Sequence, residues 1–229
     1  MNPRNRTLVI VGAVIVLILL AAGIAVLATG SDDSDSSTDD DAAVEQTCTI
    51  ENSEGTPDGE TRPIECTGEA LPEYTGEPDA AVGTASPVVT GEQFDGEAIS
   101  IGGPSDGPQL LVFLAHWCPH CNAEVPELIE LNDAGEIPAD LEVVGISTAV
   151  ASDRPNYPPS EWVVEKGWPW PTMADDAASS AFIDFGGAGF PFLVIVDTDG
   201  TVLARQSGES SSEQIKAWID ATLATSAAA

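Results

Sequence analysis

Basic residues are scarce in this sequence. Its 229 residues include seven lysines and arginines against 38 aspartates and glutamates, which gives a formal net charge of −31 at pH 7. Because binding to a phosphate backbone requires clustered lysine and arginine, nucleic acid is excluded as a partner. Anionic membrane surfaces are disfavoured for the same reason. The acidity is spread along the chain, and its plainest interpretation is solubility through self-repulsion.

Soft metal ligands are also few, since the chain has two histidines and four cysteines. Cys118 and Cys121, two residues apart, could supply half of a tetrahedral zinc site. The other half would have to come from the two histidines, which lie in the same short stretch, or from the two remote cysteines. That spacing is poor for zinc, so we predict no metal site. Internal repeats of the kind found in solenoid proteins are absent as well.

Long apolar runs are confined to the N-terminus. After Arg4 and Arg6, the 21 residues from Leu8 to Ala28 carry no charge. In a helix with a rise of about 1.5 Å per residue they would cover a hydrocarbon core of about 30 Å. The two arginines predict a cytoplasmic N-terminus. We therefore predict a cytoplasmic stub and membrane anchor over residues 1–29, with everything after them outside the cytoplasm.

A cleaved signal peptide is the alternative interpretation of the same segment, and it would give a secreted protein. Small residues around Ala28 suit a signal peptidase, but signal peptides usually have an apolar region of about 7 to 15 residues, which is shorter than this one. In either case the cysteines meet an oxidising compartment, where disulfides persist.

Residues 30–80 contain few apolar side chains that could form a buried core. "SDDSDSSTDDDAAVEQ" follows the apolar run and is typical of a disordered spacer. A small segment rich in Gly, Pro, Thr and Glu comes next, with 17 residues between Cys48 and Cys66. Closing such a loop contributes about 3 kcal/mol in the chain-entropy model. We predict a structural disulfide between Cys48 and Cys66; a second redox pair is the alternative.

Residues 81–229 have the alternating apolar and polar patterns that are typical of a globular domain. "QLLVFLAH" and "LEVVGIST" are short apolar runs typical of strands covered on both faces. Helical patterns follow each of them, and "FLVIVDTDGTVLARQ" with the terminal helix predicts a hairpin and a closing helix. This order predicts an α/β fold with a mixed central sheet flanked by helices.

The stretch "LVFLAHWCPHCNAEVPEL" places the two close cysteines where a strand passes into a helix. Pro119 suits the first helical position, because its missing N–H costs nothing there. The thiol of Cys118 then faces the free N–H groups of the first turn, and the helix dipole stabilises its thiolate. We predict that Cys118 is the nucleophile and that Cys121, one turn further, resolves mixed disulfides. We expect His120 to add a donor beside the Cys118 sulfur.

Together these residues resemble the active-site segment of thioredoxin-fold proteins, and more closely that of membrane-anchored thiol-disulfide oxidoreductases of the TlpA/ResA type. The resemblance rests on Trp117 before the CxxC and on "EVPEL" after it. It extends back to "DGEAISI" and forward to "GFPFLVIVDTDGTV", so it covers roughly residues 81–223. It implies a thioredoxin-like fold and disulfide exchange with proteins.

Specific roles follow from this resemblance. Pro191 matches the cis-proline that lies beside the CxxC and offers backbone groups to an extended substrate, with Phe190 before it and Trp117 as further substrate-binding positions. Glu124 matches a glutamate that governs protonation near the sulfurs, and we predict that it accepts the proton of Cys121.

The sequence departs from the family pattern at two places, and the second leaves the direction of electron flow open. Val112 stands where thioredoxins keep a buried aspartate, which leaves Glu124 as the proton-transfer candidate. The Pro-His dipeptide is similar to that of strongly oxidising disulfide-forming enzymes, whereas the TlpA/ResA type mostly reduces.

The sequence therefore predicts an extracytoplasmic thiol-disulfide oxidoreductase without an organic cofactor. As a reductase it would serve a pathway such as cytochrome c maturation and would need a membrane electron-transfer partner; as an oxidase it would serve disulfide formation. A metal or haem chaperone that uses the dithiol as ligand, and an interaction domain without catalysis, are the alternatives. Ala115 stands where a peroxiredoxin has threonine, which argues against a peroxidase.

Overall fold

The computed structural model of this protein describes Cys48 and residues 53–226. The predicted anchor from Leu8 to Ala28 and the acidic run after it lie outside the described residues. Within the described ranges, no helix combines the length and the apolar character needed to cross a bilayer.

Eight strands and four helices make up the described part of the chain. In chain order they are β1 (Glu65–Thr67), β2 (Val88–Glu92), β3 (Ala98–Ile101), β4 (Gln109–Leu114), α1 (Pro119–Asp133), β5 (Glu142–Ser147), α2 (Pro159–Glu165), β6 (Thr172–Ala174), α3 (Ser180–Asp184), β7 (Phe192–Val196), β8 (Val202–Ser207) and α4 (Ser212–Ser226).

Five of the strands form the central sheet, in the order β6-β5-β4-β7-β8. Neighbours β4, β5 and β6 are parallel, as expected when helices connect them. Strand β7 runs antiparallel to β4, and β8 runs antiparallel to β7. The predicted mixed sheet is confirmed. The other three strands form a small antiparallel sheet in the order β1-β2-β3.

The central strand β4 is buried along its whole length. Successive side chains of a strand point to opposite faces, so β4 contributes to two cores. Leu110, Val112 and Leu114 pack with apolar residues of α1, α2 and α4. Leu111 and Phe113 pack on the other face, with residues of α3 and of the small sheet. The helix that carries the cysteine pair is thereby anchored to the most buried strand of the molecule.

Contacts that attach the chain before β2 to the rest of the molecule include the pairing of β1 with β2 and a buried ion pair. Cys48 is joined to Cys66 of β1 by a disulfide, and β1 pairs with β2. The carboxylate of Asp79 forms a buried ion pair with Arg205 of β8, with a shortest N–O distance of 2.5 Å. The Arg205 guanidinium also donates to backbone carbonyl oxygens of Pro72 and Phe185, so its charge is fully compensated inside the protein.

Candidate active site

The cysteine pair lies at the junction of β4 and α1. Cys118 is the residue before the first helical turn and has extended backbone angles, φ −74° and ψ 123°. Pro119 occupies the first turn, where a proline loses no hydrogen bond. Both cysteines are free thiols: Cys118 is 6% exposed and Cys121 is fully buried. Cys118 is therefore placed to react first, and Cys121 lies behind it.

Beside Cys118 runs the loop before β7. The Phe190–Pro191 peptide bond is cis, and the carbonyl oxygen of Phe190 lies 3.8 Å from the Cys118 sulfur. The Phe190 ring meets Trp117 edge to face, with 6.1 Å between the ring centres. The structure thus brings the three expected substrate-binding residues, Trp117, Phe190 and Pro191, together around the nucleophile.

Glu124 lies on the buried face of α1 and is 0% exposed. One carboxylate oxygen accepts a hydrogen bond from the backbone N–H of Ser210 (2.8 Å). The other has no hydrogen-bond partner in the described part of the chain. Burial raises the pKa of Glu124 to about 8, and the charges of Glu209 and Glu127 add to the effect. The side chain can therefore take up or release a proton near neutral pH.

Burial also raises the pKa of the Cys121 thiol, and the nearby charges of Cys118 and Glu124 raise it further. Cys121 is therefore protonated at neutral pH and needs a base before it can attack a disulfide. Because the charge of Glu124 acts on Cys121, the protonation states of these two groups depend on each other.

The position of His120 differs from the expectation that it donates to the Cys118 sulfur. Its imidazole is paired with the carboxylate of Glu209, at 2.9 Å, and its side chain is 65% exposed. The physical reason is that the side chain on this first turn points outward, toward the acidic residue that follows β8. His120 and Glu209 line one side of a surface cleft, together with residues of the segment that leads into α4.

His116 is a site residue that the sequence pattern did not identify as one. It is fully buried, and Nδ1 lies 2.8 Å from the carbonyl oxygen of Pro155. The other ring nitrogen accepts a hydrogen bond from the N–H of Ala151 (3.2 Å), so Nδ1 carries the proton. Burial lowers the pKa of His116, which favours this neutral ring. His116 therefore fixes the segment from Ala151 to Pro155 against the active-site stretch.

Asn122 is a second residue of the site that the sequence pattern did not identify. Its amide nitrogen donates to the carbonyl oxygens of His116 (3.1 Å) and Cys118 (2.9 Å), and its oxygen accepts a hydrogen bond from Trp162 of α2 (3.0 Å). These bonds hold the backbone on both sides of Cys118. An asparagine directly after a CxxC was the available signal, but its partner Trp162 is 40 residues away.

A possible metal-binding group lies away from this site. The sulfurs of Cys48 and Cys66 and one carboxylate oxygen of Asp184 lie within 4.8 Å of one another. Because the two sulfurs are bonded to each other, they have no thiolate to offer a metal ion. The disulfide therefore cross-links residue 48 to β1 and offers no ligand set for a metal ion.

Comparisons with known proteins agree with this geometry. The family model described as Redoxin matches residues 80–221. "Thiol:disulfide interchange protein HelX" of Rhodobacter capsulatus is 32% identical over 152 residues, which cover 66% of this chain and 81% of that protein. "Thiol:disulfide interchange protein DsbE homolog" of Paracoccus denitrificans is 33% identical over 102 residues, 44% of this chain and 51% of that protein.

Among solved structures, that of a putative thioredoxin from Neisseria meningitidis is similar to this one, with a TM-score of 0.51 and 23% identity. The match covers 63% of this chain and 93% of the Neisseria protein. It supports the thioredoxin-like fold and nothing beyond the fold. The chain thus spans most of the Rhodobacter relative but about half the length of the Paracoccus relative.

Proposed function

This chain belongs to the Redoxin family, and from that premise we propose that it is a membrane-anchored reductase of protein disulfides outside the cytoplasm. It is a thiol-disulfide oxidoreductase with a thioredoxin fold. We infer further that the protein is of the TlpA/ResA type and is held in the membrane by its N-terminal apolar segment. In this proposal it reduces its substrates, and Cys118, Cys121 and Glu124 carry out the reaction. A role in cytochrome c maturation follows from the TlpA/ResA resemblance.

The observation that carries the proposal is the position of Cys118 at the start of α1, 3.8 Å from the Phe190 carbonyl oxygen. An extended substrate segment can lie along this loop and use its backbone groups, which brings a substrate disulfide to the Cys118 sulfur. The Cys118 thiolate attacks one sulfur of that disulfide, a new S–S bond forms, and the other substrate sulfur leaves as a thiolate.

Cys121 completes the reaction. Its thiol gives a proton to the Glu124 carboxylate, and the resulting thiolate attacks the Cys118 sulfur. The bond between Cys118 and the substrate breaks, and the second substrate sulfur leaves as a thiolate. The substrate has gained two electrons, and the protein now holds a Cys118–Cys121 disulfide. A membrane electron-transfer partner must reduce that disulfide before the next cycle.

The pairing of His120 with Glu209 favours reduction over oxidation. A strongly oxidising dithiol owes its potential to stabilisation of its reduced form, in which the first cysteine is a thiolate. His120 could supply such stabilisation from the CPHC motif, but its imidazole is directed to Glu209 at 2.9 Å. The carboxylate offsets the charge that a protonated imidazole would present to the sulfur.

We expect the Cys118–Cys121 couple of the full-length protein to have a reduction potential near or below about −270 mV. Changing His120 to Ala should move that potential by less than about 30 mV, since the imidazole interacts with Glu209. Equilibration with glutathione, followed by mass spectrometry of the trapped thiols, measures both values. A variant with Cys48 and Cys66 changed to Ala excludes a contribution from that pair. A potential near about −120 mV would identify a disulfide donor instead.

The anchoring part of the proposal is supported by the uncharged run from Leu8 to Ala28 and by Arg4 and Arg6 before it. We expect the full-length protein to sediment with membranes and to resist extraction by high salt, with its cysteine domain digestible by protease added from outside. Recovery of a shortened protein from the soluble extracellular fraction would instead indicate a cleaved signal peptide.

A further inference from the structure

Arg154 stands out among the basic residues of the described part of the chain. Its guanidinium carbon lies over the ring of Trp117, 5.5 Å from the ring centre, and Trp117 directly precedes the nucleophile Cys118. In Cys48 and residues 53–226, ion pairs engage the side chains of Arg62, Arg205 and Lys216, but none engages Arg154 or Lys166. Of these two, only Arg154 lies over an aromatic residue of the site. An exposed cation without an acidic partner is notable in a chain with 38 acidic residues.

The loop that carries Arg154 is held firmly to the active-site stretch. The indole N–H of Trp117 donates to the carbonyl oxygen of Ala149 (2.8 Å), and the Asn156 side chain donates to the carbonyl oxygen of His116 (2.8 Å). Ala149 and Asn156 have left-handed backbone angles, φ 50° and φ 63°. For alanine this conformation is uncommon and persists where the surroundings fix it. Arg154 is therefore presented at a defined place on the rim of the site.

We propose that Arg154 binds an acidic side chain that flanks the reacting cysteine of the substrate, so that the preferred substrates are disulfides in an acidic sequence context. This inference rests on the proposed exchange at Cys118. Trp117 and Cys118 are consecutive, so a carboxylate held by the guanidinium over Trp117 belongs to a residue close to the substrate cysteine. A rim charge of this kind selects partners and speeds their encounter.

The net charge of the protein does not oppose this preference at close range. At physiological ionic strength, exposed charges more than about 8 Å apart are largely screened, so distant acidic residues act weakly on a docked substrate. The guanidinium lies over Trp117, and its planar fork of donors suits a carboxylate. Asp153 beside it is also exposed, but the guanidinium of Arg154 is the charge that lies over Trp117 at the rim of the site.

Two peptide disulfides test the inference, identical except that the glutamates flanking the cysteine in one are glutamines in the other. We expect the reduced full-length protein to react about threefold to fivefold faster with the glutamate peptide, as an exposed ion pair allows. Arg154→Gln should remove the preference, Arg154→Lys should keep part of it, and 0.5 M salt should reduce it in the unmodified protein. Lys166→Gln, which removes one positive charge at the end of α2, is the matched control and should keep the preference.

The rates distinguish failure of the role of Arg154 from failure of the exchange reaction. Equal rates for the two peptides with the unmodified protein would overturn the role of Arg154 and leave the exchange reaction standing. If Arg154→Gln slows both peptides by the same factor, Arg154 acts on the Cys118 sulfur and not on the substrate, which also overturns the inference. If neither peptide reacts with the unmodified protein, the exchange function itself is contradicted.

Discussion

Replacing Cys121 with alanine is expected to stop turnover and to leave Cys118 covalently joined to its substrate. Cys118 retains its place at the start of α1 and its contact with the Phe190 carbonyl, so it still attacks a substrate disulfide. Without the Cys121 thiol, no neighbouring sulfur can displace the substrate, and the mixed disulfide persists. Turnover should fall by several orders of magnitude, since the two sulfurs act as a unit. Mass spectrometry of the unreduced protein would show the adduct.

The matched controls separate this role from general damage. Cys118→Ala should lose turnover to the same extent without forming an adduct. The protein with both Cys48 and Cys66 changed to Ala should keep its turnover, because that pair lies in a different part of the fold. An adduct that forms on Cys121 in the Cys118→Ala protein, with none on Cys118 in the Cys121→Ala protein, would reverse the assigned roles.

Changing Glu124 to Gln is expected to make the protein more stable at high pH and slower in its second step. The pKa of Glu124 is raised by burial from an ordinary value of 4.5 to about 8. The folded state therefore holds a proton that the unfolded chain releases near pH 4.5. The stability from this group is complete below that pH and is lost as the pH rises to about 8.

Glutamine has no proton to lose, so the variant escapes this penalty. At pH 9 its free energy of unfolding should exceed that of the unmodified protein by about 2 to 4 kcal/mol, whereas the two should agree within about 1 kcal/mol at pH 4. Urea unfolding at the two pH values gives the comparison. Other buried acids, such as Asp175, titrate in both proteins and cancel in the difference. A variant that is less stable at pH 9 would show that the charged carboxylate is the favoured form.

The same substitution should change the kinetics of resolution. In the unmodified protein, decay of the mixed disulfide should speed up as the pH rises through about 8, because the ionised Glu124 accepts the Cys121 proton. In the Glu124→Gln protein this rise should disappear, with a rate at pH 8 about a hundredfold lower. Glu127→Gln is the matched control, since Glu127 is also on α1 and accepts a backbone hydrogen bond, from Ser212. The rise should persist in this variant but lie at a lower pH, because the charge of Glu127 helps to raise the pKa of Glu124. A pH profile left intact by Glu124→Gln would exclude it as the base.

The features that sequence predicted correctly depend on short-range patterns. A continuous apolar run followed by Pro119 indicates a buried strand that passes into a helix, and Cys118 is found at that junction. The apolar run after Pro191 and the turn that follows it likewise give β7 and β8. These patterns work because strand burial and helix starts are decided by residues a few positions apart.

The features that sequence missed depend on contacts between remote segments. The bonds of His116 reach Ala151 and Pro155, 35 and 39 residues further along the chain. The outward position of His120 follows from Glu209, 89 residues away. Spacing within a short stretch of sequence cannot predict these hydrogen bonds and ion pairs. They form only when β4, α1 and the loops after β5 and β8 pack together.

The buried pair of Asp79 and Arg205 shows that the folding unit is longer than the family match. That match begins at residue 80, one position after the carboxylate that neutralises Arg205. A protein shortened to the matched residues would leave a buried guanidinium without its counter-ion, a loss of about 3 to 5 kcal/mol for a buried pair. It would also lack Glu60, whose carboxylate binds the backbone and hydroxyl of Ser160 at the start of α2. Residues before position 80, which the family match does not cover, are therefore part of the unit that folds.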